Sequence, residues 1–166
     1  MTNRFAIKHV ATTLLTCGVL AGCLDPQDAA PADEATGTAE QLISCSGNGC
    51  NGVDPNTTPC ASDAVSVAGA TRSIFRNGTS ILIGQVELRW SASCGTNWAR
   101  VSRTDGATAD GMYATIRRSD GATYTDFHTG FSSIWSRMVY APTVCAAATG
   151  LVDESFISGQ ATTPCL

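Results

Sequence analysis

The chain has 166 residues, ten of them basic and fourteen acidic, for a net charge of −4 at neutral pH. That length suits one domain of common size with room for a leader and a tether. A scattered net negative charge excludes the basic stripe that nucleic-acid binding calls for, so no nucleic-acid partner is expected.

Arg4, Lys8 and His9 give a basic start, and residues 10–21 are mostly apolar. This is signal-peptide anatomy. The apolar run falls well short of the roughly 20 residues a permanent membrane helix needs. Leu20-Ala21-Gly22-Cys23 closes it and reads as a lipobox. Residues 1–22 are therefore expected to be removed, leaving Cys23 as the lipidated first residue of an exported bacterial chain; an ordinary secretory signal is the competing reading. Cys17 leaves with the leader, as do Arg4 and Lys8. Eight arginines and no lysine then stand against fourteen acidic residues, a net charge of −6. Such a chain has no electrostatic attraction to anionic headgroups, so membrane attachment would rest on acyl chains alone. Residues 23–43 carry Asp25, Pro26, Asp28, Pro31, Asp33, Glu34 and Glu40 with little apolar bulk. A composition of this kind cannot offset its ordering entropy, and a disordered acidic tether is expected.

Residues 44–166 make the folded domain. Cys45, Cys50, Cys60, Cys94, Cys145 and Cys165 form an even set in an exported chain, which points to three disulfides. Cys145 with Cys165 is an attractive pair because the segment between them reads as a hairpin; spacing leaves the remaining connectivity open. Zinc on Cys45 and Cys50 is the weaker alternative, since no cysteine or histidine follows at zinc-ligand spacing. Residues 44–60, SCSGNGCNGVDPNTTPC, are too rich in cysteine, glycine and proline for a helix or strand and predict a disulfide-pinned loop. Asn51, Asp54 and Asp63 offer oxygens that suit Ca²⁺, but the spacing matches no EF-hand loop, and Asp54-Pro55 reads more simply as a turn. No metal or cofactor is expected.

Strand signals follow. Val86, Leu88 and Trp90 alternate with Glu87 and Arg89, burying one face and solvating the other. Asn77-Gly78, Asp105-Gly106, Asp110-Gly111 and Asp120-Gly121 read as hairpin turns between β-rich runs at 71–76, 80–91, 97–104, 112–118 and 122–127. Further apolar runs cover 134–141 and 144–152, and a helical period is nowhere sustained after the leader. The fold class is all-β, a small antiparallel sandwich or barrel stapled by disulfides.

Three segments carry a resemblance when read together. They are Cys45-x4-Cys50-Asn51-Gly52-Val53-Asp54-Pro55, then Cys60-Ala61-x-Asp63-Ala64, then the run from Val86 to Val101 with Cys94-Gly95-Thr96-Asn97-Trp98 at its centre. With Met138-Val139-Tyr140 and Cys145 they resemble the YjfA-like domain-of-unknown-function family over most of residues 45–145. The family usually has tyrosine or a similar aromatic at the position of Trp90. The resemblance implies a secreted or envelope-attached bacterial protein and implies no reaction, cofactor or ligand.

No catalytic constellation stands out. His128 lies two residues from Asp126, but no Gly-x-Ser-x-Gly elbow supplies a nucleophile. Asp153 and Glu154 are adjacent on a strand and so face opposite ways, while Asp105 and Asp110 sit in turn dipeptides. The aromatics suit binding better. Tyr124, Phe127, Trp135 and Tyr140 fall among small polar residues, Ser132, Ser133 and Ser136 flank Trp135, and Trp135 and Tyr140 are the candidate ligand contacts. Trp90 and Trp98 read as core. Arg89 and Arg100 are expected to pair with Glu87 or a buried carbonyl. The sequence thus supports a non-catalytic envelope lipoprotein that binds cell-wall polymer, polysaccharide or an envelope protein, with an exported inhibitor or effector acting through the 44–60 loop as the alternative.

Overall fold

The computed structural model describes residues 43–166. The leader, Cys23 and nearly all of the tether lie outside the described residues. Nine strands follow three short 3-10 turns: β1 Val65–Phe75, β2 Leu82–Ser91, β3 Thr96–Arg103, β4 Gly111–Arg118, β5 Thr123–His128, β6 Ser133–Trp135, β7 Val139–Tyr140, β8 Ala146–Glu154 and β9 Ile157–Thr162. One sheet has the order β1-β2-β3-β6, with β7 also on β3; the other has the order β5-β4-β8-β9. Every pairing is antiparallel. The fold is therefore the sandwich of the two architectures expected.

Alternation explains how the sheets face each other. Val86 and Leu88 on β2, Met112, Ala114 and Ile116 on β4, and Ala146, Ala148 and Val152 on β8 point inward and are fully buried. Their neighbours Glu87, Tyr113, Thr115 and Leu151 point outward, as a period of two requires. Small residues let the sheets approach. A methyl group on Gly150 would stand 2.7 Å from Val101 Cγ2 and 2.9 Å from Val86 Cβ, both on the opposite sheet.

Two of the four expected hairpin dipeptides turn hairpins: Asn77-Gly78 joins β1 to β2 and Asp120-Gly121 joins β4 to β5. Asp105-Gly106 instead lies on the crossing from β3 to β4, between sheets, and Asp110-Gly111 leads into β4, whose first residue is Gly111. Their aspartates serve as tethers. Asp105 accepts from the Arg103 guanidinium and Asp110 from Ser155. The β2–β3 hairpin turns through Cys94-Gly95 without such a dipeptide, with Gly95 at φ +67°. β1 begins at Val65, upstream of the predicted run, because a bulge between Ser66 and Thr71 absorbs extra residues that include Gly69 at φ +77°. The run 134–141 divides into β6 and β7. Buried Ser136 joins them, its N–H donating to the Ala99 carbonyl and its hydroxyl accepting from the Ala99 N–H.

The disulfides are Cys45–Cys50, Cys60–Cys94 and Cys145–Cys165. The third closes the β8–β9 hairpin, where the sequence suggested a bridge. The second fastens residues 43–64 over the outer face of β3, and the first closes a short ring within that segment. That cover explains why Thr96, Asn97 and Trp98 are buried on consecutive positions of one strand. Cys50, Cys60, Cys94, Trp98 and Met138 form a second small core beneath it.

Candidate functional site

The predicted loop is held at several points. Asp54 caps the turn Pro55–Thr57 by accepting from the Asn56 N–H at 2.9 Å, and Thr58 caps Pro59–Ala61 by accepting from the Cys60 N–H. The loop also runs beside the segment that follows Trp135: Gly52 N–H donates to the Met138 carbonyl, and Met138 N–H donates to the Val53 carbonyl. Asn51 Oδ1 accepts from the Tyr140 N–H at 2.7 Å. These bonds fix the position of Asp54 relative to β6.

Asp54 reaches Trp135. The indole Nε1–H donates to Asp54 Oδ1 at 2.9 Å, across 81 residues of sequence. Trp135 stays 36% exposed in spite of that bond, so its ring is oriented without being covered. Register places Trp135 opposite Arg100 on the outer face, while Ile134 points into the core opposite Val101.

A cleft opens on each side of the indole. The first, of about 220 Å³, lies between the edge strands β5 and β6 and is lined with Trp135 by Asp54, Asp126, His128, Phe131 and Arg137. The second, of about 310 Å³, lies between the outer face of the β1-β2-β3-β6 sheet and the loop, lined by Asn56, Ala64, Arg89, Trp98 and Arg100. Trp135 is the wall they share, together with Ser133.

The charges around the indole differ in how firmly they are held. Asp126 accepts from the Arg137 N–H at 2.8 Å and lies 3.5 Å from its Nε. The side-chain hydrogen bonds of Asp54 fall on Oδ1 among the described residues. Arg89 donates to the half-buried Ala64 carbonyl at 2.8 Å and to the Ser66 hydroxyl at 2.7 Å. Arg100 is held loosely, 3.8 Å from Glu87 and 3.5 Å from the Ser133 hydroxyl, with its side chain 47% exposed.

The other sequence candidates are dispersed. Tyr140 does not join Trp135. Its ring lies against Gly95 and Gly47, where a methyl group on Gly95 would stand 2.8 Å from Tyr140 Cε2, and it lines neither cleft. Phe127 stacks on Tyr113 with centroids 4.5 Å apart, on the outer face of the other sheet. Tyr124 packs against the core and Gly52. Trp98 is core, as expected, whereas Trp90 is half-buried and lines a separate shallow groove. His128 stands edge-on to Phe131. Asp63 and Asp54 do not converge: Asp63 accepts from the Ser91 hydroxyl at 2.5 Å and the Ser93 N–H at 2.8 Å, which lowers its pKa. The sulfurs of Cys45, Cys50 and Cys60 are close enough together to suit a metal ion, and all three are in disulfides. Glu154 and Asp105 both meet Arg103, whose guanidinium holds Asp105 down to about 2.

Fold and site together define a disulfide-stapled β-sandwich with an oriented aromatic at its edge. The chain belongs to the family described as Protein of unknown function (DUF2690), matched over residues 48–150, a span that holds Asp54, Arg100 and Trp135. No curated protein and no solved structure matches it.

Proposed function

We propose that this protein is a non-catalytic binding module of the bacterial cell envelope, attached through lipid on Cys23, that engages a cell-wall component through Trp135. The observation that carries the reading is the indole itself, fixed in orientation by Asp54 and open to a cleft on either side. An aromatic face beside small polar groups suits a sugar ring or a peptide chain, and its area is available without a new ordering cost. Three disulfides support an oxidising compartment. The YjfA-like resemblance, to secreted or envelope-attached proteins, points the same way.

The inhibitor reading assigned the loop a surface of its own. Asp54 and Asn56 line the clefts beside Trp135, so loop and indole form one surface, and a partner protein would use the same residues. Co-sedimentation with purified cell wall and with insoluble polysaccharide tests the proposal. The oxidised protein is expected to pellet, and Trp135→Ala to remain in the supernatant. Equal pelleting of both proteins would overturn the site, and crosslinking in intact cells would then seek a protein partner.

A further inference from the structure

Trp135 separates two charges of opposite sign. On one side Asp54 lines the first cleft, its Oδ1 holding the indole and its Oδ2 taking no part in that bond; on the other, Arg100 borders the second cleft with both of its contacts at long range. Two further charges border this pair: Arg137, beside the first cleft, lies 3.5 Å from Asp126 and 3.3 Å from the Gly52 carbonyl, and Glu87, opposite Arg100 in register, keeps a buried Oε2 with no hydrogen-bond partner among the described residues. Asp126 is engaged by the Arg137 backbone and guanidinium, and Arg89 has two short bonds of its own. A strand hydrogen-bonded to its neighbour places Arg100 beside Trp135 by register, not by side-chain chance.

We propose that the ligand of this site is a dipolar peptide: one bearing a free primary amine for Asp54 and a free carboxylate for Arg100, joined by a short apolar stretch that lies across the indole. This deepens the binding-module reading and rests on it. A guanidinium with free donors accepts a carboxylate bidentately, and a carboxylate with a free oxygen takes an ammonium in the same charge-assisted way. A neutral glycan uses neither charge. A polyanion such as a teichoic acid gains at Arg100 and is repelled at Asp54, so charge complementarity selects a ligand that carries both signs. An uncrosslinked cell-wall stem peptide, with its side-chain amine and terminal carboxylate, has this chemistry.

The test is titration of the oxidised full chain, followed at the Trp135 indole N–H by NMR, with four soluble probes. These are Nα-acetyl-Lys-D-Ala-D-Ala, its Nε-acetylated form, its C-terminal amide, and chitohexaose as the neutral glycan. The free peptide is expected to bind. Blocking either charge should weaken it about tenfold or more, the usual scale of a lost charge-assisted bond. Arg100→Gln should erase the difference between acid and amide, and Asp54→Asn, which keeps an acceptor for the indole, should erase the difference between amine and acetamide. Equal binding of all three peptides, or binding of chitohexaose alone with dependence on Trp135, overturns the dipolar assignment and leaves the aromatic site standing. No Trp135-dependent binding by any probe overturns this assignment, and the wall co-sedimentation above then decides the parent reading. The blocked peptides need no protein variant, so a misfolded substitution cannot obscure the result.

Discussion

A single residue sets one of the tight fits between the sheets. Gly150 lies where the sheets meet, with ordinary backbone angles, so its role is purely spatial: Val86, Val101 and the Ile74 Cδ1 occupy the space a side chain would take. Gly150→Ala is expected to destabilise the fold by about 1 to 3 kcal/mol, the usual cost of forcing extra volume into a packed core. A shift of the denaturant midpoint with unchanged slope would check it, and an unshifted midpoint would show that the sheets can separate freely. The exposure of Trp135 was legible, because three serines around an aromatic are poor core material. Its partner Asp54 was not, since the turn chemistry of Asp54-Pro55 accounts for that residue completely and nothing in the sequence links it to a position 81 residues away. The separation of Tyr140 from Trp135 was not legible for a related reason: the glycines that receive its ring, Gly47 and Gly95, are distant in sequence.

At the scale of elements, strands were readable wherever one face is core and the other solvent, as on β2 and β4. The alternation failed on β3, because the loop covers the second face and turns a half-buried strand into a buried one. Turn dipeptides were half informative. Asp105-Gly106 and Asp110-Gly111 fall at bends between the sheets, where the aspartate side chains hold the chain by hydrogen bonds instead of closing a hairpin. The loop itself is an element whose strength depends on pH through Asp63. Hydrogen bonds from Ser91 and Ser93 favour its charged form and lower its pKa below the ordinary 3.8. A depressed folded value means that the contribution is complete above the unfolded pKa and disappears as pH falls through the folded one. Asp63→Asn is therefore expected to lower the melting temperature near pH 6, with the gap to the native protein closing as pH falls below the ordinary 3.8 and through the lowered folded value. A gap that stays constant down to pH 2 would mean that geometry, not charge, supplies the bond.

For the whole molecule, the bridges divide stability from function. Chain-entropy reasoning gives about 4 kcal/mol for Cys60–Cys94 and about 3 kcal/mol for Cys145–Cys165, so either loss should lower the melting temperature by about 10 °C or more. Their places in the fold differ more than their energies. Cys60–Cys94 fastens the loop that delivers Asp54 to the indole, whereas Cys145–Cys165 ties the C-terminal strand to β8, on the other sheet from Trp135. Replacing both cysteines of the first pair by alanine is expected to weaken ligand binding as well as stability. The same change in the second pair should lower the melting temperature and leave binding at 20 °C intact. Equal loss of binding in both variants would place the ligand off the Trp135 surface, on a region that depends on the sandwich as a unit. Binding retained in both would show that Asp54 reaches the indole without its staple, through the bonds of Gly52, Val53 and Asn51 to the segment beyond Trp135.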